Sequence, residues 1–198
     1  MDTLELRAEG LAAQLDSVSD AIREKWWRPY CAIAEGVLAG EQARHFQEES
    51  GPNGEVWPPL SPLTLALSQG SAAKQNAGKS ARKQRPPTRF LGSPPLQEKG
   101  ALKNSVTTGG KYAVREITSD TLTFGTSAPY GPAQQFGAKI TVTDKMRGFF
   151  YATTGVWVAA QILTLPARPF LGISPSCAAE LTLLAGETLQ FAIDEAAK

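Results

Sequence analysis

The chain has 198 residues, of which 42% are apolar and 20% are charged, and its formal net charge is +1 at pH 7. This length suits one domain with or without an appended arm, and the apolar share is enough for a buried core. The near-neutral balance excludes a global attraction to polyanions, and two cysteines that lie far apart exclude a disulfide framework.

The charge is distributed unevenly along the chain. Residues 1–67 carry 11 acidic and 5 basic residues, a net charge of −6, whereas residues 68–103 carry 8 basic residues and 1 acidic residue, a net charge of +7. The first residues lack the basic and apolar regions of a signal peptide, and no apolar run approaches the roughly 18 residues of a membrane span. The sequence therefore predicts a soluble protein that is made in the cytosol.

Two helices are predicted at the start of the chain. Leucines and other apolar residues recur at steps of three, four and seven from Leu4 to about Ile22, which is the pattern of an amphipathic helix. Trp26 to Pro29 are predicted to interrupt it, so that residues 1–28 form a helical arm and residues 29–198 the main domain. A second helix is predicted from about Pro29 to Glu49. Its expected buried face is Tyr30, Ile33, Val37 and Phe46, and its expected water-facing residues are Glu35, Glu41, Gln42, Glu48 and Glu49.

A proline-rich segment follows the second helix. Trp57 and Leu60 are expected to anchor this segment on the core, and Ser61 with Pro62 is expected to start a short helix that ends near Leu67. From residue 68 to residue 99 the composition changes to glutamine, serine, alanine, glycine, lysine and arginine. Such a composition does not bury enough surface to order itself, so we predict a mobile basic loop.

The basic loop has two interpretations. It is either a solvated insertion or a surface that contacts phosphates or an acidic partner, with salt-sensitive and sequence-independent contacts. No aromatic residue is interleaved before Phe90, so base stacking is not indicated. The candidate contact residues in the loop are Lys74, Lys79, Arg82, Lys83, Arg85 and Arg89.

The second half of the chain predicts strands and a final helix. Tyr112–Thr118 and Thr121–Thr126 alternate in polarity around Ser119 and Asp120, which predicts a β-hairpin. A single turn over residues 133–137 is expected to place Phe136 inward. Further strands are predicted at Ile140–Thr143, Phe149–Tyr151 and Val156–Leu165, followed by a helix at Ser176–Ala197. Strands grouped between helices predict an α+β fold with an antiparallel sheet.

Catalytic motifs are weak. Residues Ala73–Ser80, which include Lys79, fit a relaxed phosphate-loop pattern, but the neighbouring chain does not have the strand–loop–helix order that such a loop requires. His45 is the only histidine, and Cys31 and Cys177 are expected to fill small apolar spaces. We therefore predict no enzymatic activity, no cofactor and no metal, with a nucleotide-binding enzyme as the weakest alternative.

The segment Leu165–Ser174 is expected to organise the chain. Pro166 and Pro169 hold its backbone extended, and Ser174 with Pro175 has the pattern of a helix start. Arg168 is its only charged residue, so its side chain is expected to follow the surface or to bind a specific acceptor, either a carbonyl near Gln135 or a group on a neighbouring subunit.

Four segments occur together in one order. They are residues 45–64, with Trp57-Pro58-Pro59-Leu60-Ser61-Pro62; residues 100–106, with Gly100-Ala101-Leu102; residues 124–137, with Tyr130 and Gln135-Phe136-Gly137; and residues 165–174, with Arg168-Pro169-Phe170-Leu171-Gly172. In this combination the chain resembles the phage virion morphogenesis family of Mu-like and related tailed phages, also called tail completion proteins. The resemblance covers about residues 30–195.

The resemblance implies a non-enzymatic virion protein at the head–tail junction. The implied fold is a small antiparallel sheet or half-barrel between N-terminal and C-terminal helices, and the implied assembly is a homo-oligomeric, hexameric ring. Its implied partners are the neighbouring neck or portal-adaptor proteins, the tail-terminator or tail-tube proteins, and packaged DNA in the lumen. The alternative is a nucleic-acid-binding or capsid-assembly factor that acts through the basic loop. The motif residues expected to serve the structure are Trp57, Pro59, Ser61, Pro62, Tyr130, Gln135, Phe136, Gly137, Pro169, Phe170, Leu171 and Gly172.

Overall fold

The computed structural model describes residues 8–67, 95–97 and 99–196. This part of the chain contains both helices and short strands, so the predicted α+β class, with small antiparallel sheets flanked by N-terminal and C-terminal helices, is confirmed. In chain order the elements are α1 (Ala8–Glu48), α2 (62–67), α3 (Ala101–Val106), β1 (Ala113–Ile117), β2 (Leu122–Thr126), α4 (Gly131–Phe136), β3 (Ala138–Thr141), α5 (Asp144–Thr154), β4 (Ile162–Leu165) and α6 (Pro175–Ala196).

Two compact units make up the chain. The first unit comprises Met1–Glu41, Val114–Phe124 and Ile173–Lys198, and the second comprises Gln42–Ala113 and Gly125–Gly172. The four segments of the family resemblance fall almost entirely in the second unit. The predicted division into an arm at 1–28 and a domain at 29–198 stays a prediction.

Helix α1 is continuous, so the predicted interruption at Trp26–Pro29 is wrong. Pro29 lies inside the helix, where it removes one backbone donor. Contacts just before it stabilise this stretch: the Trp27 indole N–H donates to the Thr118 carbonyl at 2.8 Å, and the Trp26 ring meets the Phe191 ring edge-on with centroids 5.0 Å apart. These tertiary contacts act against the local cost of the proline.

The buried face of α1 also differs from the prediction. Cys31, Ala34 and Leu38 are buried, whereas Ile33, expected inside, is 54% exposed. Glu41, expected in water, is buried, and its carboxylate accepts the Ser174 backbone N–H at 3.3 Å. The polar residue is inside because it has a specific backbone partner there, which hydrophobic periodicity does not reveal.

The predicted hairpin is confirmed as β1 and β2. Its turn is closed by the Thr118 backbone N–H, which donates to the Thr121 carbonyl at 2.9 Å, and by the Thr118 hydroxyl, which accepts the Thr121 N–H at 3.1 Å. Within the first unit the Arg115 guanidinium pairs with Glu35 and lies 4.7 Å from the centre of the Phe124 ring.

Strands β3 and β4 pair antiparallel, with Ala138 opposite Leu165 and Thr141 opposite Ile162. The predicted strand at Ile140–Thr143 is confirmed in shifted form. The predicted strand at Val156–Leu165 is confirmed only over its last four residues, because residues 156–161 form a connection.

The strand predicted at Phe149–Tyr151 is wrong, because these residues lie in helix α5. Thr143 caps the helix by accepting the Met146 N–H at 3.3 Å, and Gly155 ends it at a left-handed φ of 73°. Phe150 packs in a core with Val142 and Val158, while Phe149 and Tyr151 are exposed. The aromatic run resembled a strand because residues on both sides of the helix are aromatic.

The C-terminal helix is confirmed as α6. The Ser174 hydroxyl accepts the Cys177 N–H at 3.2 Å, which is the helix start that Ser174 and Pro175 predicted. Cys31 and Cys177 are buried free thiols, as expected for cysteines that fill apolar spaces.

Candidate functional site

The candidate site is built around the segment from Leu165 to Gly172 in the second unit. This segment continues from the end of strand β4, and after Leu165 it pairs with no strand in the described part of the chain. Arg168 and Phe170 are nevertheless almost completely buried, with 3% and 1% exposure. Buried backbone requires hydrogen-bond partners, and here the partners are mainly side chains from distant parts of the chain.

Arg168 binds the proline-rich segment. Its guanidinium donates from Nε to the Pro58 carbonyl and from Nη2 to the Pro59 carbonyl, both at 2.8 Å, while its backbone N–H donates to the Gln134 carbonyl at 2.7 Å. Burial lowers the pKa of Arg168 from its usual value. The expected specific acceptor exists, but the side chain reaches residues 58–59 instead of the carbonyls near Gln135.

Three aromatic rings anchor the segment. The Trp57 indole N–H donates to the Pro169 carbonyl at 2.8 Å, and the Phe46 ring lies 5.4 Å from the Trp57 ring and 5.9 Å from the Phe170 ring, centre to centre. His45, also buried, places Nδ1 3.3 Å from the Phe170 carbonyl. Trp57 and Phe170 are core residues, as predicted.

Gln135 binds two consecutive peptide groups of the segment. Its side-chain oxygen accepts the backbone N–H groups of Phe170 and Leu171 at 3.0 Å, and its amide nitrogen donates to the Leu171 carbonyl at 2.7 Å. Phe136, predicted to point inward, is 79% exposed, so that prediction is wrong. Adjacent helical residues point about 100° apart, so the inward direction of Gln135 turns Phe136 outward.

Gln42 makes the matching contact one residue further on. Its side-chain oxygen accepts the Gly172 N–H at 3.2 Å, and its amide nitrogen donates to the Gly172 carbonyl at 2.8 Å. The sequence predicted that Gln42 faces water, and no local pattern distinguishes it from the other polar residues of α1. We call Gln42 and Gln135 together the amide clamp.

Two glycines of the motifs occupy positions where a side chain does not fit. Gly137 has a φ of 76°, and a Cβ there would lie 2.9 Å from the Leu165 carbonyl oxygen. A Cβ on Gly172 would lie 2.5 Å from Pro52 Cγ. Both glycines allow close approach of another part of the chain to the segment.

A pocket of about 450 Å³ lies beside the segment. All four resemblance segments contribute to its wall, although they are separated in sequence by tens of residues. The contributions are Leu60, Ser61 and Thr64; Gly100, Ala101 and Leu102; Tyr130 and Gln134; and Thr164, Leu165, Pro166 and Arg168, with Leu96 and Lys99 completing the wall.

Comparison with known families gives the same assignment. The phage virion morphogenesis family matches residues 7–190. The chain belongs to this family. The match begins well before residue 30, where the resemblance in the sequence motifs was expected to begin, so all of α1 lies within the family match. Comparison with curated proteins and with solved structures gives no match.

Two further motif residues, Ser61 and Tyr130, have contacts of their own in the second unit. The Ser61 hydroxyl accepts the Thr64 N–H at 3.1 Å and so caps α2, next to Pro62. Tyr130 is 42% exposed at the pocket wall, and its ring meets Tyr112 with centroids 6.3 Å apart.

The candidate contact residues of the basic loop lie outside the described part of the chain. This applies to Lys74, Lys79, Arg82, Lys83, Arg85 and Arg89, so their contact with DNA or with a neighbouring subunit stays a prediction. The same role for Arg168 also stays a prediction, and its guanidinium is bound to carbonyls of its own chain.

Two kinds of feature are absent from the described residues. No group of three or more histidine, cysteine, aspartate or glutamate residues there is arranged to hold a metal ion. None of the helices described is both long and apolar enough to cross a membrane.

Proposed function

We propose that this chain is a structural component of the head–tail junction of a tailed phage, needed to join the tail to the DNA-filled head. The observation that carries the proposal is the family match over residues 7–190, which supports a phage structural or morphogenesis role. The convergence of the four motif segments on one pocket supports it further, since residues far apart in sequence together build a single surface feature.

The proposal includes self-assembly into a hexameric ring, with neck or portal-adaptor proteins on one side and tail-terminator or tail-tube proteins on the other. The second unit exposes several large apolar side chains, as expected for a subunit that is covered in an assembly. Among them are Phe136, Phe149, Tyr151, Val156, Trp157 and Ile162. In this role the chain acts by shape and association, without bond-making chemistry.

A nonsense mutation in the phage gene tests the proposal. Under non-permissive conditions we expect DNA-filled heads and complete tails that stay separate, and we expect joining to recover when the purified chain is added to the lysate. The same lysate without the added chain is the control. Mutant particles with attached tails, or wild-type virions that lack the chain by mass spectrometry, would contradict the proposal.

The second candidate, a nucleic-acid-binding or capsid-assembly factor, is favoured by the net charge of +7 in residues 68–103. It predicts DNA binding that weakens steeply with salt and that is lost on deletion of residues 72–88. Normal tail joining by the deletion variant would separate the two candidates, because only the second requires these residues.

A further inference from the structure

The outer edge of strand β4 is open beside the pocket. In the described part of the chain β3 and β4 form a two-stranded sheet, so each strand has one paired and one unpaired edge. Two-stranded ribbons are marginal on their own, and open edges are usually blocked by charges or proline. Residues Ile162–Leu165 contain neither, and Ile162 is 55% exposed.

The register identifies the backbone groups that face outward. The Val142 N–H donates to the Gln161 carbonyl at 2.8 Å, and the same register pairs Ile140 with Leu163. Hydrogen-bonded and non-hydrogen-bonded pairs alternate along an antiparallel ladder. Leu163 therefore bonds to β3, whereas Ile162 and Thr164 direct their N–H and C=O groups away from it.

The open edge and the pocket adjoin each other, because Thr164 and Leu165 belong to both. A strand added beside β4 would place alternate side chains at the pocket, since side chains repeat every second residue. This arrangement is the one used in peptide recognition by strand addition, where the backbone supplies affinity and the pocket supplies selectivity.

The pocket wall selects the chemistry of the added strand. Leu60, Leu96 and Leu102 supply apolar surface, and among the described residues of the wall only Lys99 and Arg168 are charged. Lys99 is exposed, while the Arg168 guanidinium is engaged by two carbonyls. A bulky aliphatic side chain followed two residues later by a carboxylate complements this wall.

We propose that the β4 edge and its pocket accept an extended segment of a neighbouring virion protein, which carries an aliphatic residue and a carboxylate two positions apart. The inference rests on the proposed function and specifies the kind of neighbour contact. It is tested on the purified full chain, so its failure would be distinguishable from a failure of the tail-joining experiment.

Residue-resolved amide hydrogen exchange tests the backbone part. The probe is a synthetic peptide of sequence threonine-leucine-threonine-glutamate-threonine with blocked ends. We expect the Ile162 and Thr164 amides to exchange quickly in the dilute chain and to become protected when the peptide is added at millimolar concentration. Leu163, already paired with β3, is the internal control and is expected to stay protected throughout.

Three outcomes of that experiment would overturn the proposal. Protection of Ile162 and Thr164 in the dilute chain alone would mean that the chain covers its own edge. Protection that rises with protein concentration would mean that a second copy covers it. Absence of protection with the peptide present would mean that the edge does not accept a strand of this chemistry.

A charge exchange tests the pocket part. Lys99→Glu is expected to weaken binding of the peptide by roughly two- to fivefold, the size of an exposed ion pair, and a peptide with lysine in place of glutamate is expected to recover it. Lys145→Glu, an exposed lysine outside the pocket wall, is the matched control. Equal effects of the two substitutions would contradict the placement of the carboxylate at Lys99.

Discussion

The hairpin β1–β2 and the segment Leu165–Gly172 are both extended, but they satisfy their backbones in different ways. The hairpin turn is closed by residues three apart, Thr118 and Thr121. The segment depends on Gln135, which is 35 residues from Phe170, and on Gln42, which is 130 residues from Gly172. Local pairing makes the hairpin predictable from the sequence and tolerant of single changes. Replacing Gln135 or Gln42, in contrast, removes at least two hydrogen bonds to the segment.

The largest expected difference concerns the aromatic anchors. Phe170→Ala removes a ring that is 1% exposed and is expected to lower the free energy of unfolding by about 3–5 kcal/mol. Phe124→Ala in the hairpin removes a half-buried ring and is expected to cost about half as much. Urea unfolding followed by tryptophan fluorescence measures both. Equal losses would show that the segment is no more dependent on packing than the hairpin.

Arg168→Ala is the next largest expected effect. It leaves the Pro58 and Pro59 carbonyls without their charged donor, and we expect a loss of about 2–3 kcal/mol. Arg168→Lys retains a charge but cannot reproduce two fixed donors, so an intermediate loss is expected. If the alanine variant unfolds at the same urea concentration as the wild type, the guanidinium does not hold the proline-rich segment.

The amide clamp gives a smaller effect. Gln135→Ala removes the acceptor of two backbone N–H groups and is expected to cost about 1–3 kcal/mol. Thr118→Ala, which removes an exposed turn contact of the hairpin, is expected to cost about 0.5–1 kcal/mol. Hydrogen exchange of the Phe170 and Leu171 amides should accelerate only in the glutamine variant. If these two amides exchange at the wild-type rate in the Gln135→Ala variant, the amide clamp does not protect them.

The smallest expected effect is that of the Cys31 thiol in the first unit. Burial raises its pKa, so the stability that it contributes is complete below the pKa of the unfolded thiol and decreases as pH rises through the raised folded value. With Cys177→Ala as background, a thiol reagent at about pH 8 should label Cys31 slowly until urea is added. Rapid labelling of the folded chain would show that the thiol is accessible.

The sequence predicted what depends on near neighbours. Ser174 before α6, Thr118 to Thr121 in the hairpin and Ser61 before α2 were all recognisable from turn and cap chemistry. The α5 helix was not predicted, although Thr143 and Gly155 mark its ends, because three consecutive aromatic residues, Phe149–Tyr151, are typical of a strand.

The candidate site was only partly predictable. The motif residues Trp57, Gln135 and Phe170 were singled out, but the roles of Gln42 and Glu41 were not, since a polar residue with a distant backbone partner has the same local pattern as one in water. Phe136 was predicted to point inward, but the hydrogen bonds of Gln135 to the segment fix which face of α4 points inward, and Phe136 lies on the exposed face.

The amide clamp affects how the segment Leu165–Gly172 responds to the acidity and salt concentration outside a host cell. Glutamine side chains carry no titratable proton and no net charge, so their bonds to residues 170–172 do not respond to acidity and are not screened by dissolved ions. Brine or mild acid that weakens ion pairs elsewhere in a virion would leave these amide hydrogen bonds in place.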